Sequence, residues 1–495
     1  MLKFERRLPV PQLELSLSVS KKTKYDAVVI GAGPNGLAAA IKVAQEGRSV
    51  LVVEAADTPG GGCRTKELTL PGYSHDVCSA IHPLGYGSPF FQTLGLEKHG
   101  LEWVHPEAAL AHPFDDGPPA LLYQSVEATA ATLGKDAANY RRLMAPLVPN
   151  WAELSITLRE PLRLARYPFG LARFGLRAIL SSQMLTEFAF TGGRAKGFFS
   201  GMAAHSMLPL TQSPSGAFGM ALGLAGHGVG WPFPRGGSQR IIDALVAHLK
   251  SLGGEVEVNH RVETLADLPP SRLVFGDITP KQLLQIAGDT LPTGYRGQLS
   301  RYRYGMGAFK LDWALDGPIP WKSPEVAKAG TVHLGGTRAE MTASEHAAAN
   351  GEICDKPYIL LAQQSLFDDT RAPAGRHTVW GYCHVPNGST VDMTKRIENQ
   401  IERFAPGFKD RILAKNVMDP AAMERYSANY IGGDINGGVQ DWAQLFTRPL
   451  PRWTPWSTPV PGLYLCSSST PPGGGVHGMC GYYAALAALA NDKAN

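Results

Sequence analysis

The sequence predicts an α/β fold that opens with a Rossmann-type unit, and three observations predict it. Tyr25-Asp26-Ala27-Val28-Val29-Ile30 is a compact apolar run cut off by Gly31, the pattern of a parallel strand buried on both faces. Gly31-Ala32-Gly33-Pro34-Asn35-Gly36 follows at once as G-x-G-x-x-G, and Asn35 to Gln45 has helical spacing closed by Gly47. Ser49 to Glu54 is a second apolar strand, ending in a carboxylate 18 residues beyond Gly36. Together they make one βαβ unit of about thirty residues.

The other elements follow in order. Residues 1–24 form an N-terminal extension, where the alternation of Leu13, Leu15, Leu17 and Val19 predicts a short extra strand or a disordered arm. From about Ser125 to Gly230 the chain turns helical, with tracts at 136–148 and 150–160. A second α/β stretch comprises Pro234-Arg235-Gly236-Gly237, a helix Ser238–Leu252 and a strand Glu255–Asn259. Strands are expected within 300–315 and 357–385, and a helix over 392–405. The chain closes with a strand Gly462–Cys466, a Ser/Gly/Pro loop and an Ala-rich helix over 478–490. These shifts divide it into segments 1–24, 25–110, 111–233, 234–299, 300–454 and 455–495. No period of 20–50 residues repeats, which sets solenoids and propellers aside.

Composition narrows the class. The 47 Lys and Arg against 43 Asp and Glu leave a net charge of +4, too small a surplus to imply nucleic acid as a partner. The six cysteines lie far apart, with no C-x-x-C, which suits a reducing compartment and removes the dithiol of a disulfide reductase. No two histidines have metal-ligand spacing, so no metal site is expected. No apolar run reaches the ~18–20 residues of a spanning helix, and no secretory signal is expected. The expected location is cytoplasmic, with membrane association left open. Arg159, Arg163, Arg166, Arg173 and Arg177 fall on one helical face, with Leu162, Ala165, Phe169, Phe174 and Ile179 elsewhere. That pattern predicts either peripheral contact with an anionic membrane through 159–180 or a solvated helix face, and Pro161 and Pro168 interrupt it.

The glycine motif carries the chemistry. Gly31 permits the tight turn, Gly33 lets backbone approach a pyrophosphate, and Gly36 lets helix and strand pack closely. The helix N-terminus, with Pro34 and Asn35, then faces phosphate charge. Glu54, followed by Ala55, stands where a carboxylate would accept from both ribose hydroxyls of an adenosine. Gly60-Gly61-Gly62-Cys63-Arg64-Thr65 is a second glycine loop, able to pass along the same pyrophosphate. Near the C-terminus, Cys466-Ser467-Ser468-Ser469 leads into Pro471-Pro472-Gly473-Gly474-Gly475-Val476-His477-Gly478, again a strand, a glycine loop and a helix start.

These motifs, with His75-Asp76-Val77-Cys78-Ser79-Ala80 and Gly432-Gly433-Asp434-Ile435-Asn436-Gly437-Gly438, resemble the flavoprotein amine oxidase superfamily. Within it the resemblance is to the phytoene desaturase and retinol saturase branch, over about residues 25–490. It implies the two-domain fold of that superfamily: an FAD-binding domain built from segments 25–110, 234–299 and 455–495. An α+β substrate domain with a helical cap would come from 111–233 and 300–454. It implies non-covalent FAD, with Gly31, Gly33 and Gly36 at the pyrophosphate and Glu54 at the ribose. Gly61, Gly62 and Arg64 would lie toward the flavin end, and the Val262 backbone at adenine. Gly474, Gly475 and Val476 would lie against the isoalloxazine, with Ser467 and Ser468 where relatives carry Gly or Ala.

Catalytic groups are expected at two positions. Lys310, in Gly305-Met306-Gly307-Ala308-Phe309-Lys310, is similar in position to the amine oxidase lysine that holds a water at flavin N5. An interior lysine can relay protons, and the competing reading is a strand lysine facing solvent. His477 either reaches the substrate side of the flavin or serves as a structural donor. Trp231 and Arg235 precede Gly236-Gly237 and either line the substrate cavity or pack. His75, His82, His205 and His227 read as core or loop histidines.

Three functions are compatible with these features. The first is an FAD-dependent oxidoreductase that desaturates, saturates or isomerises C–C bonds in an apolar, isoprenoid or lipid-like substrate. The second is an amine or amino-acid oxidase, and the third a non-enzymatic prenyl-binding protein, which the intact glycine loops and Glu54 disfavour. No second strand–GxGxxG–helix unit appears, so oxygen or a quinone is the expected electron acceptor. A homo-oligomer stays open.

Overall fold

The computed structural model describes residues 24–160 and 168–494. The extra strand expected over 13–19, and Pro161, Leu162, Arg163, Ala165 and Arg166, lie outside the described residues.

Two sheets organise the chain. The first is five-stranded and all parallel, in the spatial order 463–465, 271–276, 25–30, 50–53, 255–257. The strands Tyr25–Ile30 and Val50–Val53 are buried almost throughout because the helix Pro34–Gln45 crosses them, as the apolar runs predict. That helix is itself clasped by the C-terminal helix Met479–Ala494. A Cβ on Gly481 would lie 1.8 Å from the Asn35 carbonyl, so only glycine admits this approach. Strands from three distant segments thus close one sheet.

The second sheet has seven strands, in the order 412–418, 307–315, 377–385, 359–362, 329–334, 108–112, 120–122. All pairs are antiparallel except 329–334 with 108–112. The strand Ala108–His112 belongs here, so the boundary read at residue 110 falls inside an element, and the first segment ends before it. Alternation sorts the two faces. Phe309, Leu311 and Trp313 pack with Ile397, Ile401 and Phe404 of the helix Thr394–Phe404. Ala308, Leu360, Trp380 and Tyr382 face the other way, into a cluster shared with the helical cap.

The cap comprises the helices Val126–Ala131, Ala137–Met144, Trp151–Arg159, Pro168–Ala178, Ser182–Ala189, Gly193–Ala204 and Ser215–Gly228. Arg159 departs from the basic face read in the sequence. It is buried, and its guanidinium donates to the Gly87 carbonyl at 2.7 Å. On the helix Pro168–Ala178, Phe174 is buried, whereas Phe169 and Leu176 are 86% and 70% exposed. The outward face is apolar as well as basic.

Candidate functional site

The carboxyl ends of the parallel strands converge, which is where open α/β sheets bind ligands. Gly31 N–H donates to the Val53 carbonyl at 2.8 Å, Asp277 N–H to that of Ile30 at 2.8 Å, and Cys466 N–H to that of Gly276 at 2.9 Å. Gly31 takes φ +97°, open to glycine alone at this turn, and a Cβ on Gly36 would lie 2.0 Å from the Gly31 carbonyl. The turn and the close helix approach therefore both require the glycines that the motif supplies.

Glu54 is held by the chain before any ligand arrives. Its Oε2 accepts from Ala32 N–H at 2.9 Å, and its Oε1 from Ala56 N–H at 2.9 Å and Arg64 Nη2 at 3.1 Å. Arg64 also donates to the Thr58 carbonyl and lies 5.5 Å above the Tyr426 ring. Its guanidinium thus braces Glu54 and also reaches the Gly61 carbonyl of the second glycine loop at 3.5 Å. That loop passes directly over the first, since a Cβ on Gly61 would meet Gly33 Cα at 3.3 Å.

A cavity of about 740 Å³ begins at this crossing. Gly31, Gly33, Pro34, Asn35, Glu54, Ala55, Gly61, Gly62, Arg64 and Val262 line it, together with Gly475, Val476 and Ser468 from the C-terminal loop. It continues under the cap onto the seven-stranded sheet, past Ala308, Lys310, Leu360, Trp380 and Tyr382, with Leu222, Trp231 and His205 above. Lys310, Tyr382, Leu360 and His333 stand opposite one another across four strands, one row of side chains on a single face.

Lys310 is buried, which excludes the solvent-facing reading. Its Nζ donates to both oxygens of Asp312, two residues along the same face, and Asn416 Nδ2 reaches Asp312 Oδ2 at 3.4 Å. Burial pushes the Asp312 carboxyl up, and the Lys310 charge opposes that rise. His75 Nδ1 lies 3.7 Å from Asp312 Oδ1. Burial, then the Lys310 charge, pulls His75 down to about 3, so it is neutral at pH 7. Beside them, His205 Nε2 meets His333 Nε2 at 2.9 Å, and burial pulls His205 down to about 3. Two neutral imidazoles back the chamber.

Four expectations change. His477 does not line the cavity. Its Nδ1 accepts from Met479 N–H at 3.0 Å, and burial pulls it down to about 3, which favours the structural-donor reading. Arg235 pairs with Asp369 at the surface, away from the cavity, whereas Trp231 lines it. Ser467 donates to the Ile278 carbonyl at 2.7 Å, which leaves Ser468 facing the cavity. Gly36 and Gly474 shape the loops from behind without lining the space. Asp277, Asp312 and Tyr382 were not singled out from the sequence. Asp312 was legible as a same-face neighbour two residues after Lys310, and Asp277 as an acid closing an apolar strand just as Glu54 does.

The cavity fits a dinucleotide. Two glycine loops cross where any side chain would fill the space, a fixed carboxylate marks one end, and Asn35 Oδ1 is buried with no protein donor among the described residues. Residues 29–94 match the NAD(P)-binding Rossmann-like domain family. The chain is 27% identical to pyridine nucleotide-disulfide oxidoreductase domain-containing protein 2 of Rattus norvegicus, over 94% of this chain and 93% of that one. It is 25% identical to the phytoene desaturase (neurosporene-forming) of Rhodobacter capsulatus, over 92% of each. An oxidoreductase from Methanosarcina mazei superposes with a TM-score of 0.64 at 17% identity, covering 94% of this chain and all of that one. A putrescine oxidase superposes at 0.60 and 18%, covering 94% and 99%. The chain is an oxidoreductase similar along nearly its whole length to the phytoene desaturases. Both sheets of this oxidoreductase contribute to the one cavity, the parallel sheet through its strand ends and the mixed sheet through one face. Among the described residues no cluster of His, Cys, Asp and Glu could hold a metal ion.

Proposed function

We propose that the protein binds FAD non-covalently and oxidises, reduces or isomerises C–C bonds in an apolar, isoprenoid or lipid-like substrate. The observation that carries this reading is the single cavity joining the crossed glycine loops to a chamber walled by Leu222, Trp231, Leu360, Trp380 and Tyr382. Such a wall excludes water and offers a polyene or alkyl chain contact along its length. FAD, when bound, supplies a two-electron acceptor for hydride. Glu54 orients the ribose, and the backbones of Gly31, Gly33 and Gly61 leave room for the pyrophosphate. Gly475 and Val476 line the same cavity. Lys310, fixed by Asp312 at the chamber floor, holds or moves a proton there. Oxygen or a quinone takes up the electrons.

Access for an apolar substrate is supported by the cap. Phe169, Leu176, Ile179, Met184 and Phe188 are exposed on or beside the helices Pro168–Ala178 and Ser182–Ala189, next to the exposed Arg173. An apolar face with a basic flank suits peripheral contact with an anionic membrane. Among the described residues no helix is long and apolar enough to cross one.

The test is the absorbance of purified protein, followed by anaerobic stopped-flow bleaching of the flavin against carotenoids, retinoids, fatty acids and amines. A yellow protein bleached by an apolar compound is expected. Colourless protein that FAD cannot reconstitute overturns the reading, and bleaching by amines alone replaces it with an amine oxidase.

A further inference from the structure

The parallel sheet ends in two carboxyl groups, not one. Asp277 closes the strand Ser271–Gly276 directly opposite the first glycine loop. Its Oδ2 accepts from Gly36 N–H at 3.0 Å, and a Cβ on Gly33 would sit 2.6 Å from the same oxygen. The carboxyl therefore occupies part of the helix N-terminus that the sequence motif assigns to phosphate. It is buried yet lines the cavity, and among the described residues no protein donor meets its Oδ1 and no cation pairs with it.

Each neighbouring element presents a neutral or anionic group. Strand 50–53 brings Glu54, whose partner Arg64 is turned to that residue. The strand 463–465 and the last helix bring the thiols of Cys466 and Cys480, which burial keeps protonated. The loop before Tyr430 brings Asn429, which donates to the Asp277 carbonyl at 2.9 Å, and the helix Pro280–Ala287 brings Gln282, bonded to Asn429. The glycine loop itself brings only Asn35. Adding a pyrophosphate to this corner places further negative charge beside a carboxyl with no counter-ion.

We propose that Asp277 is a dinucleotide-binding residue that works as the neutral acid, its Oδ1 donating toward the bound anionic cofactor, so that the dinucleotide and one proton are bound together. Burial pushes the carboxyl up to about 7, the Gly36 N–H opposing this and the Glu54 charge adding to it. The free protein thus loses the proton near neutrality, and the bound form retains it to higher pH.

The inference rests on the FAD reading and is tested by binding, not by turnover. Apoprotein is titrated with FAD between pH 6 and 9, with flavin fluorescence as the readout. Wild-type Kd should be level at the acid end and rise toward tenfold per pH unit above neutrality. Asp277→Asn keeps the shape of the neutral acid, so its Kd should stay level and be at least tenfold below the wild-type value at pH 9. A level wild-type profile, or an Asp277→Asn profile parallel to the wild type, overturns the proposal. Should Asp277→Asn fail to fold, calorimetry of wild type in two buffers of different ionisation enthalpy decides. About one proton taken up at pH 8 supports the proposal, and none overturns it. Failure to bind FAD at any pH removes the parent reading as well, whereas tight binding with no pH dependence removes this inference alone.

Discussion

Replacing Lys310 by Met deletes the partner of a buried carboxylate while keeping the apolar stem. Asp312 is then left under the chamber floor with Asn416 at 3.4 Å and with His75, which burial alone now disfavours in its charged form. Removing one member of a buried pair costs about 3–5 kcal/mol when the other stays charged. Asp312 can escape part of that cost by taking up a proton, because burial already pushes its carboxyl up and Lys310 supplies the largest opposing effect. In the variant the native state holds this proton at pH values where the unfolded chain has released it. Stability should therefore fall as pH rises above the ordinary carboxylate range near 4, by about 1.4 kcal/mol per unit, until the raised value is passed. Urea unfolding followed by tryptophan fluorescence between pH 5 and 8 measures this directly. The double variant Lys310→Met/Asp312→Asn should recover at least half of the loss and show no added slope. A single variant within about 0.5 kcal/mol of wild type, with no added pH dependence, would refute the buried pair as an energetic unit. The same variant should slow flavin reduction by substrate, or its re-oxidation, by about 10²–10⁴. Unchanged rates in both half-reactions would retire Lys310 from catalysis.

Glu54→Ala should weaken FAD binding by about 2–3 kcal/mol, or roughly 30- to 150-fold in Kd by fluorescence titration, since it removes the carboxylate proposed to accept from the ribose and frees Arg64. Gly36→Ala puts a Cβ 2.0 Å from the Gly31 carbonyl. It should cost about 1–3 kcal/mol in urea unfolding and abolish detectable FAD retention on gel filtration. His477→Ala should lower stability by about 1–3 kcal/mol through the lost Met479 contact, while stopped-flow flavin reduction stays at the wild-type rate.

The sequence by itself determined the βαβ opening, the glycine turn, Glu54 and the terminal strand–loop–helix, because each is written in contiguous residues whose spacing the backbone imposes. Tyr25–Ile30 is apolar throughout because both faces of its strand are covered, and Gly31 has to be glycine at φ +97°. The tertiary structure alone decided which side chains share the cavity. Lys310 meets Asp312 inside the protein because the cap closes over one face of the mixed sheet, and no local pattern states which face is covered. Ser467 and Ser468 are adjacent and chemically identical, yet only the packing against Ile278 sends one away and leaves the other facing the cavity. Arg159 looked like one of five surface arginines, and the fold buried it against Gly87. His477 and Arg235 stood beside the right loops, but their partners, Met479 and Asp369, turned one into the last helix and the other to solvent. Asp277 and Glu54 lie far apart in sequence and close one pocket, since parallel strands bring their carboxyl ends together whatever length of chain separates them.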